Sequence, residues 1–136
     1  MGLVFQNCTS LKKLNLSSFD TNNVINMYSM FLGCSKLEEL NISNFNTSNV
    51  VNFGKMFNGC ESLKKLEISS FDIGQVKDMS CMFSKCSLLT EISLSNFRSC
   101  NILMDNLFNN CKALIKLNCS DELKVIIREK FPNLKI

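Results

Sequence analysis

Cysteine is the residue of this sequence best equipped for chemistry, and most of its eight cysteines recur at a fixed interval. A thiolate can attack a substrate as a nucleophile, ligate zinc or oxidise to a disulfide. The five cysteines that recur every 25 or 26 residues are Cys8, Cys34, Cys60, Cys86 and Cys111.

The rest of the composition argues against catalysis by these thiols. The chain contains no histidine, so it has no Cys–His or Ser–His–Asp machinery and no imidazole ligand. No CxxC pair is present, and the five dispersed glycines form no phosphate-binding loop. The sequence therefore predicts a protein that is not an enzyme, with no catalytic residue, metal or cofactor.

Three interpretations of the cysteines remain. Five recur beside apolar residues and Cys119 occupies a buried strand position of the repeat, which favours small hydrophobic thiols in a core. An even count also permits disulfides in an oxidising compartment, and a metal site is the least supported reading. Cys81 and Cys100 fall outside the repeated phase, and we expect them to be the most exposed thiols.

Length, charge and hydropathy limit the remaining classes. The 136 residues are 46% hydrophobic and 20% charged, with a net charge of +3 from interleaved acids and bases. These values exclude disorder and provide no basic stripe for nucleic acid. No apolar run approaches the roughly 18 residues of a membrane span, so no membrane insertion is predicted in this segment. The first residues also lack the pattern of a signal peptide.

Many apolar positions recur in phase with the cysteines. Phenylalanine precedes each cysteine by three residues, and leucine follows by three: Phe5, Phe31, Phe57, Phe83, Phe108 and Leu11, Leu37, Leu63, Leu89, Leu114. A repeat of this length cannot bury its apolar face alone, so stacked neighbours must share one core. The sequence predicts a solenoid.

The hydrophobic period changes within each repeat. Leu14-Asn15-Leu16 alternates and predicts a short strand with one buried face. After a polar turn, Val24, Met27, Met30 and Phe31 follow at helical spacing, which predicts a short helix ended by a left-handed Gly33. The expected fold is an α/β solenoid: a curved, right-handed stack with short parallel strands on its concave face and short helices opposite.

Two segments follow from this pattern. Residues 1–119 form about five repeats that start in mid-repeat, since Met1, Val4 and Phe5 match Met27, Met30 and Phe31. Residues 120–136 form a C-terminal cap, a helix from Ser120-Asp121 followed by a final strand through Ile136. The first repeat has no such cap. We expect it to continue a longer array or to pair with something.

One string of the second repeat resembles a known family. Met30-Phe31-Leu32-Gly33-Cys34-Ser35-Lys36-Leu37, continuing through Asn41-Ile42-Ser43-Asn44-Phe45-Asn46-Thr47-Ser48-Asn49-Val50, is similar to BspA-like leucine-rich repeats of bacterial surface proteins and mycoplasma lipoproteins. The resemblance covers roughly residues 1–119. It implies surface display, adhesion and protein binding at the cell surface or after secretion, with no catalytic residues to carry over. A cytoplasmic location is the alternative, because this chain shows no signal or lipoprotein segment.

Two rows of strand residues are candidates for function. The concave face should carry Asn15, Asn41, Glu67, Ser93 and Asn118, flanked by Ser17, Ser43, Ser69, Ser95 and Ser120. We interpret the first row as a docking strip for a protein or glycan. Alternatively, its residues are polar only because they face solvent, and they bond to one another.

A second row carries charges of alternating sign: Lys13, Glu39, Lys65, Glu91 and Lys116. Opposite charges on adjacent strands attract weakly, so we expect this row to fix the register between repeats. A functional charge patch would more readily have one sign.

The predicted function is a non-catalytic binding or display module that recognises a protein or glycan through its concave strand face. The alternative is a structural spacer or assembly unit that self-associates by stacking through its open N-terminal edge.

Overall fold

The computed structural model describes residues 1–97 and 101–134, and within these it contains five short parallel strands and one helix. The strands are β1 (Lys13–Asn15), β2 (Glu39–Asn41), β3 (Lys65–Leu66), β4 (Glu91–Ser93) and β5 (Lys116–Asn118), and the helix is α1 (Asp121–Lys130). Each strand lies at the position where the repeat alternates between polar and apolar residues. The prediction of one short strand per repeat is therefore confirmed.

Neighbouring repeats, called coils below and numbered one to five by their phase cysteines, lie side by side. β1 pairs with β2 in one sheet, and β3, β4 and β5 form a second. The register is one whole repeat, with Leu14 beside Leu40 and Ile92 beside Leu117. Isolated parallel bridges connect Asn26, Asn52, Asp78 and Leu103 on another side of the coils.

The prediction of short helices opposite the strands is wrong. Residues 24–33 and their equivalents form turns and bridges, and α1 is the only helix of the described chain. Alternate N–H groups bond in two directions: Met30 N–H donates to Met27 O within the coil, while Phe31 N–H donates to Met56 O of the next coil. An α-helix keeps these bonds within itself, so this segment, called the arm below, is tied to its neighbour instead.

Left-handed residues interrupt each arm. Gly33 and Gly59 have φ of 73° and 76°, as the sequence predicted for Gly33, but they end turns and not helices. A second left-handed position lies four residues earlier and is held by Ser29, Lys55 and Cys81. A four-residue segment that is closed by a hydrogen bond between residues i and i+3, and whose third residue is left-handed, is a type II-like turn. The side chains of these turns recur at intervals of three and four, which explains the helical pattern.

The shared core contains a ladder of stacked phenylalanine rings. The rings of Phe5, Phe31, Phe57, Phe83 and Phe108 follow one another with centroid distances of 5.5, 5.5, 5.9 and 5.6 Å and interplanar angles of 10° or less. Offset stacking at such distances is favourable beyond simple burial. Phe131 closes the ladder edge-on at 5.8 Å from Phe108.

The C-terminal helix is confirmed. The Ser120 hydroxyl accepts the N–H of Leu123 and caps the first turn, while Leu123 and Ile127 bury the inner face. Residues 131–134 form no strand, and Lys135 and Ile136 lie outside the described residues. The expected final strand is therefore absent as far as the structure describes the chain.

Candidate recognition surface

The phased thiols belong to the core. Cys34, Cys60, Cys86 and Cys111 are buried, and each Sγ donates to the carbonyl of the phenylalanine in the preceding coil over 2.9–3.3 Å. Burial raises the pKa of Cys34 to about 11 and of Cys111 to about 12. A neutral, buried thiol is neither a nucleophile nor a ready ligand.

The seven cysteines that the structure describes are free thiols. Cys81 is half-buried, so it is more accessible than those four, while Cys100 lies outside the described residues. Cys119, which we expected in a strand core, is also half-buried. No group of three His, Cys, Asp or Glu side chains suited to a metal ion occurs in the described ranges. Over the same ranges, no helix is long and apolar enough to cross a membrane.

The outward-facing residues of β1–β5 and those directly after them form one surface, called the strand face below. Its charged row contains two close ion pairs, Lys13–Glu39 and Lys116–Glu91, each with Nζ and Oε1 2.6 Å apart. The bond to Glu39 raises the pKa of Lys13, and the bond to Lys116 lowers the pKa of Glu91. Opposite charges therefore do meet across coils, although exposed pairs of this kind contribute little stability.

The inner row of predicted binding residues also lies on the strand face. Asn15 is aligned with Asn41, and Ser93 with Asn118, by the strand register. Glu67 follows the shorter β3 directly and is exposed like both asparagines of the first sheet. The register therefore aligns Asn15 with Asn41 in the first sheet and Ser93 with Asn118 in the second, and a role of this row in binding stays a prediction.

Side-chain oxygens in this row are occupied by local bonds. Oδ1 of Asn15 and of Asn41 and Oε1 of Glu67 each accept the N–H of the serine two residues later. Bonding to Ser69 lowers the pKa of Glu67. These oxygens stabilise the turn that follows each strand, so part of the row has the structural role that was the alternative interpretation.

The last two residues of the row are bonded to other side chains. Ser93 Oγ donates to Ser95 Oγ over 3.4 Å, and Asn118 Nδ2 donates to Glu91 Oε1 over 3.3 Å. They are therefore less available to a partner than the first two.

Amide nitrogens remain available at the first two coils. Nδ2 of Asn15 and of Asn41 has no acceptor among the described residues. Together with Lys13, Leu14, Glu39 and Leu40 these asparagines line a shallow groove of about 520 Å³. Half-exposed leucines form its floor, and amide donors and an ion pair form its rim. Such a surface can dock an extended or loop segment of another molecule, but it carries no group for covalent chemistry.

A second cavity was not predicted. It lies between the fifth coil and the residues after α1, and Lys112 and Lys130 contribute its charged groups. A run of polar residues at the end of the last repeat, Asn109-Asn110 followed by Lys112, was the available sequence signal. The backbone donors at this cavity carry no sequence signal.

Comparisons with known proteins agree with a repeat architecture. A family model described as "Mycoplasma protein of unknown function, DUF285" matches residues 1–120. No curated protein matches the chain. The crystal structure of the T. pallidum leucine-rich repeat protein (TpLRR) is similar, with a TM-score of 0.51 and 19% identity over 96% of this chain and 75% of that one. This likeness shows a leucine-rich-repeat fold and nothing of function.

Proposed function

The chain belongs to the DUF285 family, and we propose that it is a non-catalytic recognition module that binds a protein through its strand face. One observation carries the proposal. The repeat aligns exposed asparagines in register, and two of them keep free amide donors beside a groove with a half-exposed leucine floor. Interfaces combine apolar contact with about one hydrogen bond per 100–200 Å², which this surface can supply.

A protein suits the groove better than a glycan. The described groove has aliphatic and ionic groups but no aromatic side chain on which a sugar ring would stack. A polypeptide backbone offers carbonyl oxygens to the amides of Asn15 and Asn41, and its side chains can pack on Leu14 and Leu40. A glycan remains the alternative ligand.

We place this module at a cell surface. The support is the resemblance of its repeat to BspA-like surface proteins and the Mycoplasma origin of the family. A cytoplasmic location is the competing proposal, and surface labelling of intact cells distinguishes the two.

Replacing both Asn15 and Asn41 by aspartate tests the strand face. Aspartate keeps the oxygen that caps each turn but exchanges the amide donor for a negative charge. We expect binding of the partner to weaken at least about tenfold. Two hydrogen bonds are lost, and two negatively charged carboxylates face the partly negative carbonyl oxygens of the partner. Capture from cell extract identifies the partner, and titration of the purified partner measures the dissociation constant.

The matched control is Asn26→Asp with Asn46→Asp. Both are exposed asparagines whose Oδ1 caps the residue two positions later, and both lie off the strand face. Aspartate already occupies the equivalent positions in other coils, at Asp78 and Asp72. Equal binding by the control and the strand-face variant, or a wild-type chain that captures no partner, contradicts the proposal.

A second candidate function is assembly through the first coil, and a specific observation favours it. Each arm accepts hydrogen bonds from the coil before it, but Gly2, Val4 and Gln6 carbonyls receive none from the described residues. Leu3 and Val4 are 53% and 51% exposed, whereas the residue equivalent to Val4 in the next coil, Met30, is fully buried. A further coil of the same type would cover both the carbonyls and the apolar surface.

We expect the wild-type chain to associate with increasing concentration and the variant Leu3→Lys with Val4→Lys to remain monomeric. The left-handed backbone at position 3 accepts lysine, since Lys55 occupies the equivalent position with φ of 57°. Sedimentation equilibrium measures the mass of both chains. A wild-type chain that is monomeric at every concentration contradicts assembly with its own copies.

A further inference from the structure

Hydrogen bonds between consecutive arms form four columns in which the earlier coil donates to the later one, and one column, through Val51, Lys77 and Leu103, that runs the other way. Phe31 N–H donates to Met56 O, Phe57 N–H to Met82 O and Phe83 N–H to Leu107 O, over 2.9–3.0 Å. Three other columns follow the same rule, for example Gly33 to Asn58 and Gly59 to Ser84. The aligned peptide dipoles therefore add, with their positive N–H ends directed toward the fifth coil.

These columns of hydrogen bonds end at the fifth coil in backbone N–H groups. The N–H groups of Met104, Asn106, Phe108 and Asn110 occupy the positions that donate to a following coil, and none has an acceptor among the residues that the structure describes. Asn106 and Asn110 are exposed, whereas Phe108 is buried, and buried N–H groups without partners are rare in proteins. This end of the stack therefore presents a set of directed, unused donors.

A cavity of about 410 Å³ lies at this end. Asn106, Phe108 and Asn110 line it together with Phe131, Lys112 and Lys130. Both charged groups of the lining are positive. Backbone N–H groups gathered in a concave site, with cationic side chains beside them, are the usual donors for an oxyanion.

We propose that this cavity binds a small phosphate-bearing ligand. The charges of the two lysines match a phosphate dianion, and the unpaired N–H groups provide directed bonds to its oxygens. The volume exceeds that of phosphate alone, and the phenylalanine rings give the remaining space an apolar wall. The cavity shares no lining residue with the strand face, so this inference does not rest on the proposed function.

Phosphate and phenyl phosphate are the probes for this site. At low ionic strength, we expect either probe to shift the backbone amide resonances of Asn106, Phe108 and Asn110 in a saturable manner. Tighter binding of phenyl phosphate identifies a phosphate ester as the ligand, because its ring contacts the apolar wall. Equal affinities identify free phosphate. Acetate at the same concentration measures how much of the response any anion produces.

The double variant Lys112→Gln with Lys130→Gln should weaken phosphate binding at least about tenfold. Both residues are exposed, so the fold is retained and the amide spectrum of the remaining chain is unchanged. The control, Lys36→Gln with Lys64→Gln, removes the same charge from exposed sites that do not line the cavity. The proposal is overturned if the three amide signals do not move, or if they move equally in both variants.

Discussion

Replacing Phe57 by alanine is expected to lower the free energy of unfolding by roughly 3–5 kcal/mol. The ring is fully buried in the middle of the ladder and stacks on Phe31 at 5.5 Å and on Phe83 at 5.9 Å. Alanine removes both stacking contacts and leaves a cavity that three coils share. In a repeat protein, much of the stability comes from the interfaces between neighbouring repeats, and this change weakens two of them.

Urea denaturation followed by far-ultraviolet circular dichroism measures the loss. Phe5→Ala is the matched control, since Phe5 has the same phase but is half-exposed and has only one stacked ring, Phe31. We expect the control to lose less than half as much free energy. Equal losses would show that the ring contributes through its own coil and that stacking between coils is unimportant.

The ladder illustrates how far the sequence predicts this fold. Phenylalanines that recur at one phase must lie above one another once the coils stack, so their alignment follows from the repeat alone. The same holds for the strands, because Leu14-Asn15-Leu16 and its equivalents alternate in polarity. Lys13 and Glu39 also form an ion pair, as their spacing predicted.

The arms show where this reasoning fails. Met27, Met30 and Phe31 have helical spacing, yet turns closed between residues i and i+3 place side chains at nearly the same intervals. The two structures differ in where alternate N–H groups find acceptors, and that choice depends on the next coil. The left-handed conformation of Lys55 and Cys81 could not be predicted from the sequence, because neither residue type favours that conformation.

The candidate sites divide in the same way. Phase alone aligned Asn15 with Asn41, but it could not show that their Oδ1 atoms would accept bonds from Ser17 and Ser43 while their Nδ2 atoms find no acceptor in the described part of the chain. The phosphate cavity depends on backbone donors at the end of a hydrogen-bond column. Such donors have no side-chain identity, so only the structure reveals them.

Raising the pH from 9 to 10 is expected to lower the free energy of unfolding by about 4 kcal/mol through the thiols. Burial raises the pKa of Cys34, Cys60, Cys86 and Cys111 above the ordinary value of 9.0. Above pH 9 the unfolded chain releases these protons, whereas the folded chain retains them. Stability is therefore fully present below pH 9 and is lost as the pH rises toward the folded-state values, which are about 11 and 12 for Cys34 and Cys111.

The double variant Cys60→Ala with Cys86→Ala separates the contribution of the buried thiols from every other effect of alkaline pH. The carbonyl groups that lose a thiol donor in this variant remain hydrogen-bonded, because Phe31 O and Phe57 O still accept the backbone N–H groups of residues 34 and 60. With two of the four thiols removed, the loss between pH 9 and 10 should fall to about half, roughly 2 kcal/mol. Guanidinium denaturation in the presence of a phosphine reductant measures it for each chain against its own value at pH 7. Identical alkaline losses in both chains would exclude the buried thiols as the cause, whereas a halved loss would show that the raised pKa of the buried thiols causes it.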